Sequence, residues 1–184
     1  MTTPTQTIKQ QIPATYVVDP VHSSIGFAVT HNGVSTFRGS FGDYEARLVG
    51  GESPRLEGSV DVGSIEIAEE QLKGHLLSPE FFDAGRFPRL RFRSSELSVD
   101  EDGAATVRGE LEIGGVSREV EARGRYRQVG QGLSGRGVIG LSLETAVDRR
   151  DFGLDWQAEL PGGGDALDWQ VEMAVELELV EEAE

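Results

Sequence analysis

From residue 22 onward, apolar and polar side chains alternate with a period of two, the mark of strands with one face turned inward. Ile25, Phe27 and Val29 alternate with Ser24, Gly26, Ala28 and Thr30. Asn32-Gly33 supplies the positive-φ pair of a tight hairpin turn, and Phe37, Gly39 and Phe41 return on the inner face. Gly42-Asp43 reads as a bulge or bend, after which Tyr44, Ala46 and Leu48 take over the inner register. The alternation continues through Leu56–Val62, Leu90–Phe92, Val107–Ile113, Val120–Tyr126 and Ile139–Leu143, and is clearest from Trp169 to Leu179. Counted from residue 22, the pattern predicts eight strands joined mostly by short turns, which forces antiparallel neighbours. Strands this long twist too strongly for a flat open sheet, and closure removes exposed edges. The predicted fold is all-β: a single eight-stranded antiparallel up-and-down barrel. Tyr16-Val17-Val18 is read only as a short extended piece before it.

One stretch breaks the alternation. Leu72, Leu76 and Leu77 share a helical face, with Glu69 and Glu70 in a first turn where the helix dipole favours negative charge. Ser78-Pro79 stops that helix, and Ser78 is a candidate cap for a second short turn carrying Phe81 and Phe82. This helical insert between the third and fourth strands predicts an apolar plug at one barrel mouth.

Gly39, Gly58, Gly109 and Gly124 fall at inward positions. Either they leave volume along the axis, or they relieve strain where strands bend. If volume exists, its lining is apolar and suits an apolar guest. The alternation also places Arg89, Arg91 and Arg93 outside, where ion pairs with Glu57 and Asp61 are expected.

Composition narrows the function. A net charge of -15, from 32 acids and 17 bases, argues against nucleic acid or an anionic membrane as partner. The absence of cysteine removes disulfides, thiolate catalysis and zinc-thiolate sites. No segment has the apolar length of an integral membrane span. Residues 1–14 read as a flexible polar tail without a signal-like apolar core, residues 15–180 as the barrel and 181–184 as an acidic tail. A cytoplasmic location is the expectation.

Three blocks carry a family resemblance: Tyr16-Val-Val-Asp-Pro-Val-His-Ser-Ser-Ile-Gly-Phe with the residues up to Ser35; His75-Leu-Leu-Ser-Pro-Glu-Phe-Phe-Asp with Phe87-Pro88 and Phe92; and Asp148-Arg-Arg-Asp-Phe-Gly-Leu-Asp-Trp156. In this order and spacing the chain resembles the YceI-like family. The resemblance implies a lipocalin-like barrel holding a polyisoprenoid or other long lipid, with no established catalysis, and some family members form dimers, so a homodimer is an expectation; no metal or cofactor is expected, because the three histidines lack ligand spacing. The chain departs from the family's habit at Gly114, often histidine, at Arg118-Glu119, often Arg-Pro, and at Asp148, often Asn.

The expected function is binding, storage or transport of a long apolar ligand, an isoprenoid or isoprenoid quinone before a fatty acid. Strand residues expected to line it are Ile25, Phe27, Val29, Phe37, Phe41 and Val60, followed by Phe92, Leu111, Ile139, Leu141, Trp169 and Met173. Leu76, Leu77, Phe81 and Phe82 join them from the insert, and Trp156 from the 149–166 loop. His22, His75, Arg149 and Arg150 are candidates for contact with a polar head. The opposing expectation for the two arginines is loop anchoring by ion pairs and tryptophan packing. Two other function classes stay open: an enzyme on an amphipathic substrate, with a metal held by some of His22, His31 and His75, or a stress-response scaffold with a filled barrel. Asp151-Phe152-Gly153 matches a kinase triplet but lacks every other kinase element.

Overall fold

The alternation closes on itself. The structure, a computed structural model, describes residues 12–183. Its strands are β1 (Ile12–Val18), β2 (Ser24–His31), β3 (Ser35–Phe41), β4 (Tyr44–Gly51), β5 (Arg55–Asp61), β6 (Ile65–Glu66), β7 (Arg89–Val99), β8 (Ala104–Ile113), β9 (Val116–Val129), β10 (Val138–Asp148) and β11 (Leu167–Glu181), with one helix, α1 (Glu70–Leu77). The closed antiparallel ring of eight strands runs β1-β4-β5-β7-β8-β9-β10-β11 and returns to β1, with Tyr16 opposite Glu181 and Val18 opposite Leu179. A branch, β2-β3-β6, leaves β11 toward one end.

The branch arises because three long strands break, the third at residues 62–64, where Asp61 caps a 3-10 turn between β5 and β6. The first breaks between Val18 and Ser24, where the Val21 amide donates to the Asp19 carboxylate at 2.9 Å and caps a 3-10 turn. β11 runs past this break unbroken, its Glu178 amide donating to Ser23 Oγ at 2.9 Å. The second break is the predicted bend at Gly42-Asp43, where both amides donate to Ser64, one to its carbonyl and one to its hydroxyl. Asn32 and Gly33 adopt the expected positive φ of 53° and 68°.

Three boundaries differ from the sequence reading. Ile12–Ala14, assigned to the tail, begin β1, and Ile12 is buried; the tail assignment for residues 1–11 lies outside the described residues. Ile12, Ala14, Tyr16 and Val18 in fact alternate, but Pro13, with no amide to donate, hides the pattern. Glu181, assigned to the acidic tail, ends β11. After α1, residues 79–86 turn without forming a second helix, although the Glu80 amide does donate to Ser78 Oγ at 3.3 Å. α1 itself is capped by Glu69, whose carboxylate accepts from the Gln71 and Leu72 amides.

The arginine stripe lies outside as expected. Arg93 pairs with Glu57 at 3.3 Å, but Arg91 reaches across the other neighbour to Glu112 and Arg89 donates to Ser59 Oγ. Asp61 makes no ion pair with Arg89, which stands opposite it; its carboxylate accepts from the Gly63 amide and caps a turn.

Along the axis the interior has two storeys. At the end bearing the β7–β8 hairpin, Tyr16, Leu48, Val107, Ile139, Leu141 and Leu179 are each at most 1% exposed and pack into one cluster. Tyr126 closes this end with its hydroxyl donating to Gln128 at 2.9 Å. A second cluster at the opposite end gathers Phe41, Leu76, Leu90, Ile113, Phe152 and their neighbours around α1.

The inward glycines do not hollow the barrel as a set. A Cβ on Gly39 would stand 2.5 Å from the Phe27 ring, and one on Gly109 would stand 2.8 Å from the Phe92 ring and overlap the Arg93 carbonyl. At Gly124 it would fall on the Ser142 carbonyl oxygen, because β9 and β10 approach closely there. Only at Gly58 is the nearest contact an ordinary 3.4 Å. Gly124→Ala is therefore expected to cost about 2 kcal/mol or more, since backbone must move, and Gly58→Ala to cost much less. Chemical denaturation of the two variants beside the parent checks the contrast.

Candidate functional site

The second storey contains a cavity of about 480 Å³. Its walls come from every layer of that end: Phe27, Val29 and Phe37 from the β2–β3 hairpin, Leu72, His75 and Leu76 from α1, Phe81 and Phe82 from the turn after it, and Val171 and Met173 from β11. Exposed His31, Ser35 and Thr36 at the hairpin tip mark where it meets solvent. β7 starts only at Arg89, so beyond it the wall is the insert, held by the Val62 amide donating to the Pro88 carbonyl at 2.9 Å and by the Phe87 ring against Gly115.

Two aromatic groups shape the cavity. Phe27 touches Phe37 and Phe41 at centroid separations of 6.2 and 5.8 Å, and Phe41 meets Phe82 edge-on. At the mouth, His75 stands edge-on to both Phe81 and Trp156, each 5.0 Å away, and these two rings lie 5.3 Å apart. Rings at these separations gain attraction beyond their buried area. The second group ties α1 to the 154–167 segment, so insert and loop form one lid. The Glu80 carboxylate lies 2.8 Å from His75 Nε2, within hydrogen-bond distance.

Arg149 organises the loop. It is 3% exposed. Its Nη1 donates to the Leu154 and Trp156 carbonyls, both at 2.7 Å, its Nε to that of Asp168 at 2.9 Å and its Nη2 to that of Leu167 at 3.2 Å. Burial pushes its pKa down, offset in part by Asp148, Asp165 and Asp155. Arg150 lies outside, bound to Asp148, whose carboxyl it holds at about 2. Both guanidinium groups stack on Trp169, at 4.2 and 4.8 Å from the ring centre. Anchoring is thus what the structure shows for these arginines, through carbonyls for Arg149 and through an ion pair for Arg150.

Of the residues expected at the ligand, Phe27, Val29, Phe37, Phe41, Leu76, Phe81, Phe82, Trp156 and Met173 line the cavity, with His75 and Arg149. Ile139 and Leu141 do not; they belong to the packed storey. Ile25, Val60, Leu77, Phe92 and Leu111 pack behind or beneath the wall. Trp169 leaves the inward row because the β11 register shifts between Leu167 and Val171, which turns its ring toward Arg149. His22 is on the barrel's outside at the first strand break, where its Nδ1 meets Asp19 at 2.9 Å. The sequence reading missed Leu72, Ile113, Phe152, Leu154 and Leu167 as wall residues. Leu72 and Ile113 were visible in the periodicity, whereas the loop leucines follow no period.

Asp19, His22 and Glu178 form a group whose ligand atoms lie within 4.8 Å of one another, on the outer surface away from the cavity wall. The hydrogen bond to Asp19, then the charges of Asp19 and Glu178, raise the His22 pKa. The pair therefore contributes most between the ordinary carboxylate range and the unfolded histidine value of about 6.5, fading as pH rises through the elevated His22 value and as pH falls through the lowered Asp19 value. In Asp19→Asn the His22 titration followed by NMR is expected to move down toward that ordinary value. Arg149→Lys keeps the charge but loses the planar fork. It is expected to cost about 2 kcal/mol or more, with faster amide exchange concentrated in residues 153–168.

A sequence model described as the YceI-like domain matches residues 16–181. The chain belongs to the YceI-like family. A UPF0312 protein of Vibrio vulnificus strain YJ016 is 29% identical over 147 residues, covering 77% of this chain and 78% of the relative. Another, from Pseudomonas fluorescens strain Pf-5, is 27% identical over 155 residues, covering 78% of each. Among solved structures, Burkholderia cenocepacia BcnA superposes with a TM-score of 0.73 at 18% identity, over 88% of this chain and 98% of BcnA. A polyisoprenoid binding domain from Saccharophagus degradans gives 0.64 at 11% identity, over 92% and 100%. These likenesses show that the YceI-like barrel here has the fold of its relatives. No helix among its described residues is long and apolar enough to cross a membrane.

Proposed function

We propose that this YceI-like barrel binds an apolar lipid, with the tail in the cavity and the polar end beside His75, and that it stores or carries that lipid without catalysis. The observation that carries the reading is the cavity itself: about 480 Å³ walled mainly by aromatic and aliphatic side chains, with His31, Ser35 and Thr36 at its mouth and His75 and Arg149 as the other polar residues. Such a space has no partners for ordered water and falls within the roughly 300–1,000 Å³ of small-molecule pockets. Burying about ten methylenes at roughly 0.8 kcal/mol each offsets the entropy cost of association without any polar contact. The relative named for polyisoprenoid binding supports an isoprenoid over a fatty acid.

The polar end of the ligand is better neutral than anionic. Arg149 is bonded to four carbonyls and Arg150 to Asp148, and acids Asp155 and Asp165 lie within electrostatic reach of Arg149. A quinone or alcohol meets the His75–Glu80 pair without needing a cation. Native mass spectrometry of protein purified without detergent is expected to show a bound lipid. Met173→Trp, which fills the cavity, is expected to lose it while keeping its circular dichroism. Parent protein that carries no lipid and takes up none from vesicles would rule the reading out.

A further inference from the structure

The cavity ends halfway down the barrel, and we propose that this limits the guest to one apolar chain of about fifteen carbon atoms, lying bent in the upper storey rather than threading the barrel. The limit rests on the lipid-binding reading above.

Depth comes first. On β2 the wall residues are Phe27, Val29 and His31, while Ile25, the next inward position, is off the cavity. Four residue steps at about 3.4 Å make roughly 14 Å of strand, and a strand tilt near 40° leaves roughly 10 Å along the axis. β3 reaches one inward position further, to Phe41 opposite Ile25, while β10 and β11 stop at or above the Phe27 level. Val147 on β10 and Met173 on β11 line the cavity, while Leu143 and Leu177 already belong to the packed storey.

The floor comes second. Val60 and Leu111, with Ile25 and Phe92 against them, pack beneath the cavity. Phe92 touches both clusters, and its ring fills the notch left by Gly109. With Val18, which also packs against both clusters, it separates the storeys. Volume comes third: at roughly 30 Å³ per water-sized group, 480 Å³ holds about sixteen carbon atoms. An extended chain of that many carbons is longer than this end of the barrel is deep, so the cavity takes it only folded.

The test is a length series of neutral alcohols, one arm isoprenoid and one straight-chain, with about ten, fifteen, twenty and forty carbons, titrated calorimetrically into delipidated full-length protein. Affinity is expected to rise by roughly fourfold per added methylene up to about fifteen carbons and then to level or fall. The better arm identifies the source of the chain. In Phe92→Leu, the milder floor variant, and Phe92→Ala, with folding checked by thermal melting, the rise is expected to extend several carbons further. A parent protein whose affinity keeps rising to forty carbons overturns the limit while leaving lipid binding intact. Absence of binding at every length removes both.

Discussion

A closed ring of eight strands encloses a nearly fixed volume, and every inward side chain takes a share of it. That constraint decides what this chain can do. Where the inward row is Tyr16, Leu48, Tyr126, Ile139 and Leu141, the share is complete and the storey is solid. Where it is Phe27, Val29, Phe37 and Met173, the residues are no smaller, but the wall is built differently because β2, β3 and β6 leave β1, β4 and β5 at three strand breaks. The cavity thus coincides with the branching of the backbone and is not lined by small side chains.

The breaks themselves are local chemistry. Asp19 and Asp61 each turn a carboxylate onto an amide two residues ahead and start a 3-10 turn, and Ser64 binds both amides of the Gly42-Asp43 bend. The branched end needs a new wall, which α1 and the following turn supply, and a clasp, which Arg149 supplies by gathering four carbonyls of the closing loop. A buried guanidinium with carbonyl partners alone tolerates burial because its planar donors fit several acceptors at once.

Much of this was legible in the residues. Period-two alternation places the inward strand residues from Ile25 to Leu179 on the correct face except Trp169, and the Asn32-Gly33 turn and the Leu72, Leu76, Leu77 face hold in the structure. β1 was obscured because Pro13 interrupts a pattern that is otherwise regular. The boundary between solid and hollow storeys was not legible, since Leu141 and Met173 obey the same alternation although one is packed and the other lines the cavity; facing inward says nothing about what stands opposite. The glycines misled for a related reason. Whether an absent side chain leaves space depends on the neighbour across the sheet, and at Gly39 and Gly109 that neighbour is a phenylalanine ring. Trp169 escaped because a register shift has no marker in composition.

The pairing of β6 with only two residues of β3 has a wider meaning. A continuous strand ladder holds the solid half together all the way round, whereas part of the hollow half is sealed by the insert and its side chains. Cohesion and cargo thus occupy different territory in one small molecule. Mutation can retailor the second without taxing the first, which leaves a lineage of such proteins free to change what they hold while remaining recognisably the same object.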